Sequence, residues 1–180
     1  MQLFWLQGAD QSSYAEIVRA TGASRKALYG WWPDKSEMVR QSLELYQEQV
    51  LSQVLAPLTS DPKGDLELFW SQIQAVVSSG SWRGCYLCRT ASGPLSSDPA
   101  VSGMFRAHVE RLQGAVANAV AKAKQHGFVD TAIDPETAGR SSAAFIVLLS
   151  ALAAAGAPAE DLAILVTDAR RACGVGYPFI

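Results

Sequence analysis

The sequence predicts an all-α protein, and three observations support this fold class. Apolar residues recur every three or four positions through most of the chain, which is the period of an amphipathic helix. No segment alternates apolar and polar residues in the manner of a half-buried strand. Serine or aspartate precedes several of the periodic segments and glycine follows them, as expected at helix ends.

The first predicted helix covers residues 12–22 and is defined by its ends. Ser12 and Ser13 are natural N-caps. Glu16 follows Ser13 by three residues, which is the spacing of a capping box. Gly22 is a typical C-terminal stop.

The helices that follow are predicted from the same signals. Ser24 caps a second short helix that runs to about Trp31. A third, longer helix begins near Asp34 or Lys35, and we expect Pro57 to end it. The remaining predicted helices cover about residues 62–79, 84–91, 99–127, 135–155 and 158–173.

Composition indicates an ordinary globular chain. Apolar residues make up 49% of its 180 residues and charged residues 18%. The longest nearly unbroken apolar run, Ala143 to Ala155, is shorter than the roughly 20 residues that span a bilayer. No secretory signal is visible, and three cysteines are too few and odd in number for a disulfide framework. We therefore expect a cytoplasmic protein that does not bind membranes.

Residues 22–35 have the most specific pattern in the chain, with the sequence GASRKALYGWWPDK. The position of the turn is that of a helix-turn-helix. The order of residue types closely resembles the recognition-helix signature of the TetR family of bacterial transcription regulators. Leu3, Phe4, Gly8 and Ile17 also match the spacing of that family. Downstream, the run GCYLC at residues 84–88 resembles a stretch found in one branch of these regulators.

The resemblance covers nearly the whole chain, specifically over residues 12–37 and loosely afterwards. It implies a helix-turn-helix DNA-binding domain over residues 1–56, followed by a larger helical ligand-binding and dimerisation domain over residues 57–180. Charge alone does not support DNA binding, because the net charge is −2 and residues 1–45 hold equal numbers of basic and acidic side chains. The hypothesis therefore depends on the pattern.

The candidate base-reading residues begin the predicted recognition helix at Ser24. Arg25 and Lys26 can donate to guanine O6 and N7, and Ala27 can contact a thymine methyl group. An ordinary core hairpin with an incidental Arg-Lys pair is the alternative interpretation. The resemblance implies contacts to the DNA backbone from a further set: Ser12, Ser13, Tyr29, Trp31 and Lys35.

The chain departs from the family at its N-terminus. Only six residues precede Gln7, whereas the family has a full helix there, usually after a basic arm. A helix of two turns at most is marginal by itself. We expect Met1 to be an internal methionine or the chain to be truncated.

A ligand-responsive regulator needs a second site in its larger domain. Aromatic and polar side chains after residue 57 are plausible pocket residues, although plain core packing is the alternative for each. The candidates are Trp70, Trp82, Cys85, Tyr86, Phe105, His108 and Phe145.

Cys85 and Cys88 have a CxxC spacing that invites a redox or metal interpretation. A thioredoxin-like motif expects a βαβ setting, which the sequence lacks. Zinc would need two further ligands, for which Cys173, His108 and His126 are the candidates. Thiol sensing stays open, but two small buried cysteines are the favoured interpretation, and we predict no metal and no cofactor.

The alanine-rich helices over about residues 135–173 are nearly free of charge in their first half. Such a surface needs cover, and in the resembled family the last two helices form a four-helix dimer bundle. A helix buried inside a monomer is the alternative. A two-fold dimer matches a palindromic double-stranded operator.

The leading functional hypothesis is a dimeric, ligand-responsive DNA-binding repressor with a small-molecule effector. The second hypothesis is a dimeric small-molecule-binding helical protein with lost or weak DNA binding. A third, a small helical enzyme, has little support because no Ser-His-Asp order, phosphate-binding glycine loop or metal-ligand spacing is present. We therefore predict no catalytic residues.

Overall fold

The computed structural model describes residues 1–59 and 64–176, and all regular structure in these two ranges is helical. The predicted all-α fold class is confirmed. The helices, in chain order, are α1 (Gln2–Gln7), α2 (Tyr14–Thr21), α3 (Arg25–Trp31), α4 (Lys35–Tyr46), a π-helical turn (Gln47–Leu51), α5 (Ser52–Thr59), α6 (Leu66–Ser78), α7 (Tyr86–Ala91), α8 (Pro99–Gln125), α9 (Pro135–Ala154) and α10 (Ala159–Ala172).

Helix α2 begins with the predicted capping box. The Ser13 hydroxyl accepts a hydrogen bond from the Glu16 backbone N–H at 3.2 Å, and the Glu16 carboxylate accepts one from the Ser13 backbone N–H at 2.7 Å. Gly22 ends the helix, and the Ser24 hydroxyl then accepts from the Ala27 backbone N–H at the start of α3. Each short helix is therefore fixed at its ends by local hydrogen bonds, which compensates for its small length.

The prediction that Pro57 ends the third helix is wrong. The helix that begins at Lys35 continues through the π-helical turn and includes Pro57, ending at Thr59. A proline inside a helix removes one backbone donor and collides with the carbonyl four residues earlier. Here Leu55, Pro57 and Leu58 are all buried, so tertiary packing outweighs the local preference.

The neighbouring prediction of a helix from about residue 62 falls partly on residues outside the described ranges. Within them, α6 begins at Leu66, and the Asp65 carboxylate accepts a hydrogen bond from the Leu68 backbone N–H at 2.7 Å. The predicted ends of the later helices agree with the structure to within about two residues, because Asp98 and Asp134 cap α8 and α9 as expected.

The buried apolar residues form two clusters. One lies among α5, α6, α8, α9 and α10. The other combines residues of α1 to α4 with α7 and the start of α8, so that Leu28 and Leu43 share a core with Tyr86 and Val101. Helix α7 therefore packs against the N-terminal helices as well as against α8 and α9 of the larger part of the chain.

Two glycines allow close backbone approaches that fix these elements. A Cβ atom on Gly139 of α9 would lie 2.4 Å from the Gln113 carbonyl oxygen of α8. Gly84, which precedes α7, has a φ of +89°, and a Cβ atom there would lie 2.4 Å from the Ser150 carbonyl oxygen of α9. Any larger side chain at either position would force the helices apart.

Helix α9 is the one helix in the described ranges that is long and apolar enough to cross a membrane by length and composition alone. The prediction that the apolar stretch is too short for a membrane used only the unbroken run from Ala143 to Ala155, whereas α9 as a whole is longer. Core helices of globular proteins share this length and composition. The buried residues of α9 pack in the core against α8 and α10.

Candidate nucleic-acid interface and ligand cavity

The start of α3 presents exposed basic side chains. Arg25 and Lys26 are both exposed, and neither forms an ion pair with a described residue. The Arg25 guanidinium carbon lies 5.5 Å from the centre of the Tyr14 ring, and the Tyr14 and Tyr29 rings are 5.1 Å apart. A cation–π contact of this kind limits the motion of the arginine. The arrangement can donate several hydrogen bonds to an anionic or base-edge partner.

Two exposed aromatic residues follow on the same helix. Tyr29 is 51% exposed and Trp31 61%, far more than core packing requires. Leu28, which immediately precedes Tyr29, is fully buried, and Trp32 donates a 2.8 Å hydrogen bond from Nε1 to Gln41. The predicted division is therefore present, with Leu28 and Trp32 packing inward while Tyr29 and Trp31 face outward.

The remaining predicted contact residues differ in accessibility. Ser12 is buried and its hydroxyl donates to the Gly8 carbonyl at 2.8 Å, whereas Ser13 is exposed at the start of α2. Lys35 donates from Nζ to the Ser12 carbonyl at 3.0 Å. Of the two serines considered for phosphate binding, Ser13 is the accessible one. Backbone and side-chain hydrogen bonds from Ser13 also hold the pKa of Glu16 below its ordinary value.

A cavity of about 140 Å³ lies between the N-terminal helices and the larger helical part of the chain. Its lining comes from helices on both sides of the predicted domain boundary, and its described residues include no Asp, Glu, Lys or Arg. The lining residues are Trp5, Tyr46, Val50, Leu51, Val54, Leu55, Phe69, Gln72, Ile73, Val76, Val77, Trp82, Cys85, His108, Leu112 and Ile146.

Three of the seven predicted pocket residues line this cavity, namely Trp82, Cys85 and His108. Tyr86 lies instead beside a separate groove of about 380 Å³ between the α1–α2 loop, α4 and α7, and its hydroxyl is 2.7 Å from that of Ser42. The remaining three candidates pack within the apolar clusters without lining this cavity: Trp70, Phe105 and Phe145.

Sequence reasoning missed the contribution of the N-terminal helices to the cavity. Trp5 of α1 and Tyr46 of α4 both line it, and their rings are 4.9 Å apart in an edge-to-face arrangement. The π-helical turn also contributes Val50 and Leu51. No local signal in the sequence predicted this π-helical turn. Such turns are frequent at functional sites.

His108 is the most unusual polar group of the lining. Its side chain is 5% exposed, and Nδ1 makes no hydrogen bond to any described residue. Burial, and secondarily the charge of Arg111, lowers the pKa of His108 to about 4. The imidazole is therefore neutral near pH 7 and has an unused hydrogen-bonding position.

Cys85 and Cys88 are both buried, and neither is in a disulfide. A hydrogen bond from the Cys88 thiol holds the pKa of Cys85 below its ordinary value, while the same contact and burial raise the pKa of Cys88. Cys173 lies elsewhere, with its sulfur 3.2 Å from the Ser142 hydroxyl. Nowhere in residues 1–59 and 64–176 do three or more His, Cys, Asp or Glu side chains converge as metal ligands.

Direct polar contacts join the N-terminal helices to the larger part of the chain. The Trp5 indole donates from Nε1 to the Gly84 carbonyl at 2.8 Å, and Arg89 of α7 donates to the Trp5 carbonyl. Arg40 of α4 forms an ion pair with Asp98 at 2.7 Å. Trp5 therefore connects α1 both to α7 and to the loop before it.

These features define a helix-turn-helix hairpin with an exposed basic start that is joined to a larger helical part, with an apolar cavity lined by residues of both. Residues 1–41 match the family described as bacterial regulatory proteins, tetR family. The N-terminal part of the chain therefore matches the TetR family over its predicted DNA-binding helices. The resemblance inferred from residues 22–35 is thus confirmed.

One curated relative is the HTH-type transcriptional repressor ComR of Escherichia coli (strain K12). It is 30% identical over 105 residues, which cover 54% of this chain and 50% of ComR. The match therefore spans about half the length of that relative.

Solved structures agree in fold over nearly the full chain. A cysteine mutant of the TetR-family regulator CifR, complexed with double-stranded operator DNA, is 20% identical with a TM-score of 0.73, covering 98% of this chain and 92% of that one. Reduced Escherichia coli NemR is 13% identical with a TM-score of 0.76, covering 99% and 94%. The TetR-family regulator SCO4454 of Streptomyces coelicolor is 20% identical with a TM-score of 0.72, covering 96% and 90%.

Proposed function

We propose that this chain is a dimeric DNA-binding transcriptional repressor of the cytoplasm that recognises a palindromic operator and responds to a small molecule. The observation on which the proposal chiefly depends is the exposed start of α3, where Arg25 and Lys26 have no ion-pair partner among the described residues. Support also comes from the relative ComR, which is named a transcriptional repressor, and from CifR, which was solved with operator DNA.

Recognition of DNA follows from the geometry of the hairpin. The N-terminal turn of α3 would enter the major groove, where Arg25 and Lys26 meet guanine acceptors and Ala27 a thymine methyl group. Tyr29, Trp31 and Ser13 are exposed and would contact the sugar-phosphate backbone. Base contacts then give sequence preference, while backbone contacts give affinity and register.

Replacing Arg25 and Lys26 together with alanine should weaken binding to promoter DNA by about a hundredfold, because each lost bidentate base contact costs about 1–3 kcal/mol. The measurement is fluorescence anisotropy with a labelled duplex over a salt series. The control is Arg83→Ala with Arg106→Ala, which removes the same charge from exposed positions outside the hairpin. Equal losses in both double variants would contradict a base-reading role.

A different outcome would favour the second hypothesis. If the unaltered protein binds DNA weakly, with no preference for a palindrome, the chain is better described as a dimeric small-molecule-binding protein. The even balance of charge in residues 1–45 is the observation that keeps this alternative in the test.

Dimerisation is proposed through about residues 135–173. Leu148 of α9 and Ile164 of α10 are exposed apolar side chains, at 45% and 61%, beside small alanines such as Ala144 and Ala151 that allow close approach. Exposed apolar surface shared by two adjacent helices is typical of an interface. A two-fold arrangement would place the two α3 helices on successive turns of DNA.

The variant Ile164→Glu should therefore dissociate the dimer, because the symmetry brings both new charges into one apolar interface. We expect the dimer dissociation constant to rise by about two orders of magnitude, measured by size-exclusion chromatography with light scattering. Phe128→Glu is the matched control, since Phe128 is 56% exposed but lies outside α9 and α10. A dimer that survives Ile164→Glu and dissociates with Phe128→Glu would place the interface elsewhere.

The ligand response is proposed to pass from the cavity to the hairpin through Trp5. This indole lines the cavity and is tied to the loop before α7 by its bond to Gly84. A molecule in the cavity that displaces Trp5 would shift α1 and the core that it shares with Leu28 of α3. A ligand that binds the displaced state more tightly would thereby change the spacing of the two recognition helices.

A further inference from the structure

We infer that the cavity takes an uncharged, single-ring aromatic molecule of the phenol class, and that its hydroxyl group hydrogen bonds to His108. This inference rests on the proposed ligand response and names the chemical class of the effector. It depends on four features of the cavity, which are its charge, its rings, its size and its unpartnered imidazole.

The lining excludes a charged ligand. Among the residues that the structure describes, no Asp, Glu, Lys or Arg lines the cavity, and His108 is neutral near pH 7. An ion placed there would lose its hydration without gaining a counter-charge, which is strongly unfavourable. An apolar or singly polar molecule has no such cost.

The aromatic side chains of the lining and the volume of the cavity favour a ligand with one aromatic ring. Trp5, Tyr46, Phe69 and Trp82 line the cavity, and aromatic side chains pack favourably against a further ring, edge to face or offset. The volume is about 140 Å³. Apolar protein cavities of about 150 Å³ bind benzene, so this volume suits a single ring with small substituents better than a polycyclic molecule.

The unpartnered imidazole favours a hydroxyl substituent. Buried polar atoms nearly always have a hydrogen-bond partner, yet Nδ1 of His108 has none among the described residues. A hydroxyl group can donate to an unprotonated ring nitrogen or accept from a protonated one, so it suits either tautomer. Its presence would give the buried Nδ1 of His108 a hydrogen-bond partner.

The test compares three probes that share a methyl-substituted ring: 4-methylphenol, toluene and 4-methylbenzoate. Isothermal titration calorimetry of the full chain at pH 7.5 should give binding of 4-methylphenol about three- to tenfold tighter than toluene, the range of one neutral hydrogen bond. The carboxylate should not bind measurably. Equal affinity for 4-methylphenol and toluene, tighter binding of 4-methylbenzoate, or no binding of any probe would each overturn the inference.

Two variants then assign the hydroxyl contact. His108→Leu should weaken 4-methylphenol binding by about three- to tenfold while leaving toluene unchanged, and His126→Leu, at the other histidine of the chain, should change neither. Equal losses for both probes in His108→Leu would indicate a purely structural role. If His108→Leu does not fold, the comparison of probes on the unaltered protein still decides the ligand class.

The calorimetry contains no DNA, so it fails independently of the proposed function. Binding of 4-methylphenol without release of promoter DNA would support the ligand class and contradict the regulatory response. Sequence-selective DNA binding together with no affinity for 4-methylphenol would leave the repressor proposal intact and overturn this inference alone.

Discussion

Replacing Gly139 with alanine should lower the free energy of unfolding by about 2–3 kcal/mol. The new Cβ atom would lie 2.4 Å from the Gln113 carbonyl oxygen and 3.2 Å from the Ala117 Cβ atom. Both contacts come from α8, whose packing against α9 is the most extensive of any helix pair. Because backbone cannot yield as a flexible side chain does, the two helices must separate along their length and lose apolar contacts.

The matched control is Gly114→Ala, on the adjoining helix α8. A Cβ atom at Gly114 would meet no atom within 4 Å, so alanine should stabilise the helix by about 0.5–1 kcal/mol. Urea unfolding of both variants at one protein concentration gives the comparison, which avoids the concentration dependence of a dimer. A Gly139→Ala variant as stable as Gly114→Ala would mean that α8 and α9 do not approach as closely as described.

Local signals predicted most of the helix ends. The capping box of Ser13 and Glu16 and the aspartate caps of α8 and α9 were visible because they depend on residues within three positions of each other. Pro57 misled the same method. Its local preference to end a helix was outweighed by burial against residues that are distant in sequence. The residues next to Pro57 give no signal of that burial.

The ligand cavity was only partly predictable for the same reason. Trp82, Cys85 and His108 could be proposed because they are aromatic or polar residues in the larger part of the chain. Trp5 could not, because its partner Gly84 is 79 positions away. The recognition hairpin, by contrast, is contained within a short continuous segment, so its residues could be named in order, and their contacts with DNA remain predictions.

Acidification from about pH 6.5 to about pH 4 should destabilise the protein by about 3 kcal/mol through His108 alone. Burial lowers the pKa of this imidazole from 6.5 to about 4, so between these values the unfolded chain binds a proton that the folded chain does not. Stability therefore falls as pH decreases through this window and the contribution is constant above and below it. At pH 5 the free energy of unfolding should already be lower by about 2 kcal/mol.

The variant His108→Leu should remove this part of the pH dependence, because leucine has no proton to gain in the unfolded chain. The other titratable groups of the cavity lining are Tyr46, whose pKa is raised by burial, and Cys85, whose pKa is about 7. Tyr46 keeps its proton throughout this window, and Cys85 is largely protonated at and below about pH 6.5. Urea unfolding at about pH 6.5 and about pH 5 measures the difference, with the exposed His126→Leu variant as control. If His108→Leu loses as much stability as the unaltered protein between these pH values, the imidazole is not held neutral by its surroundings, and the cavity has room for water or a counter-charge beside it.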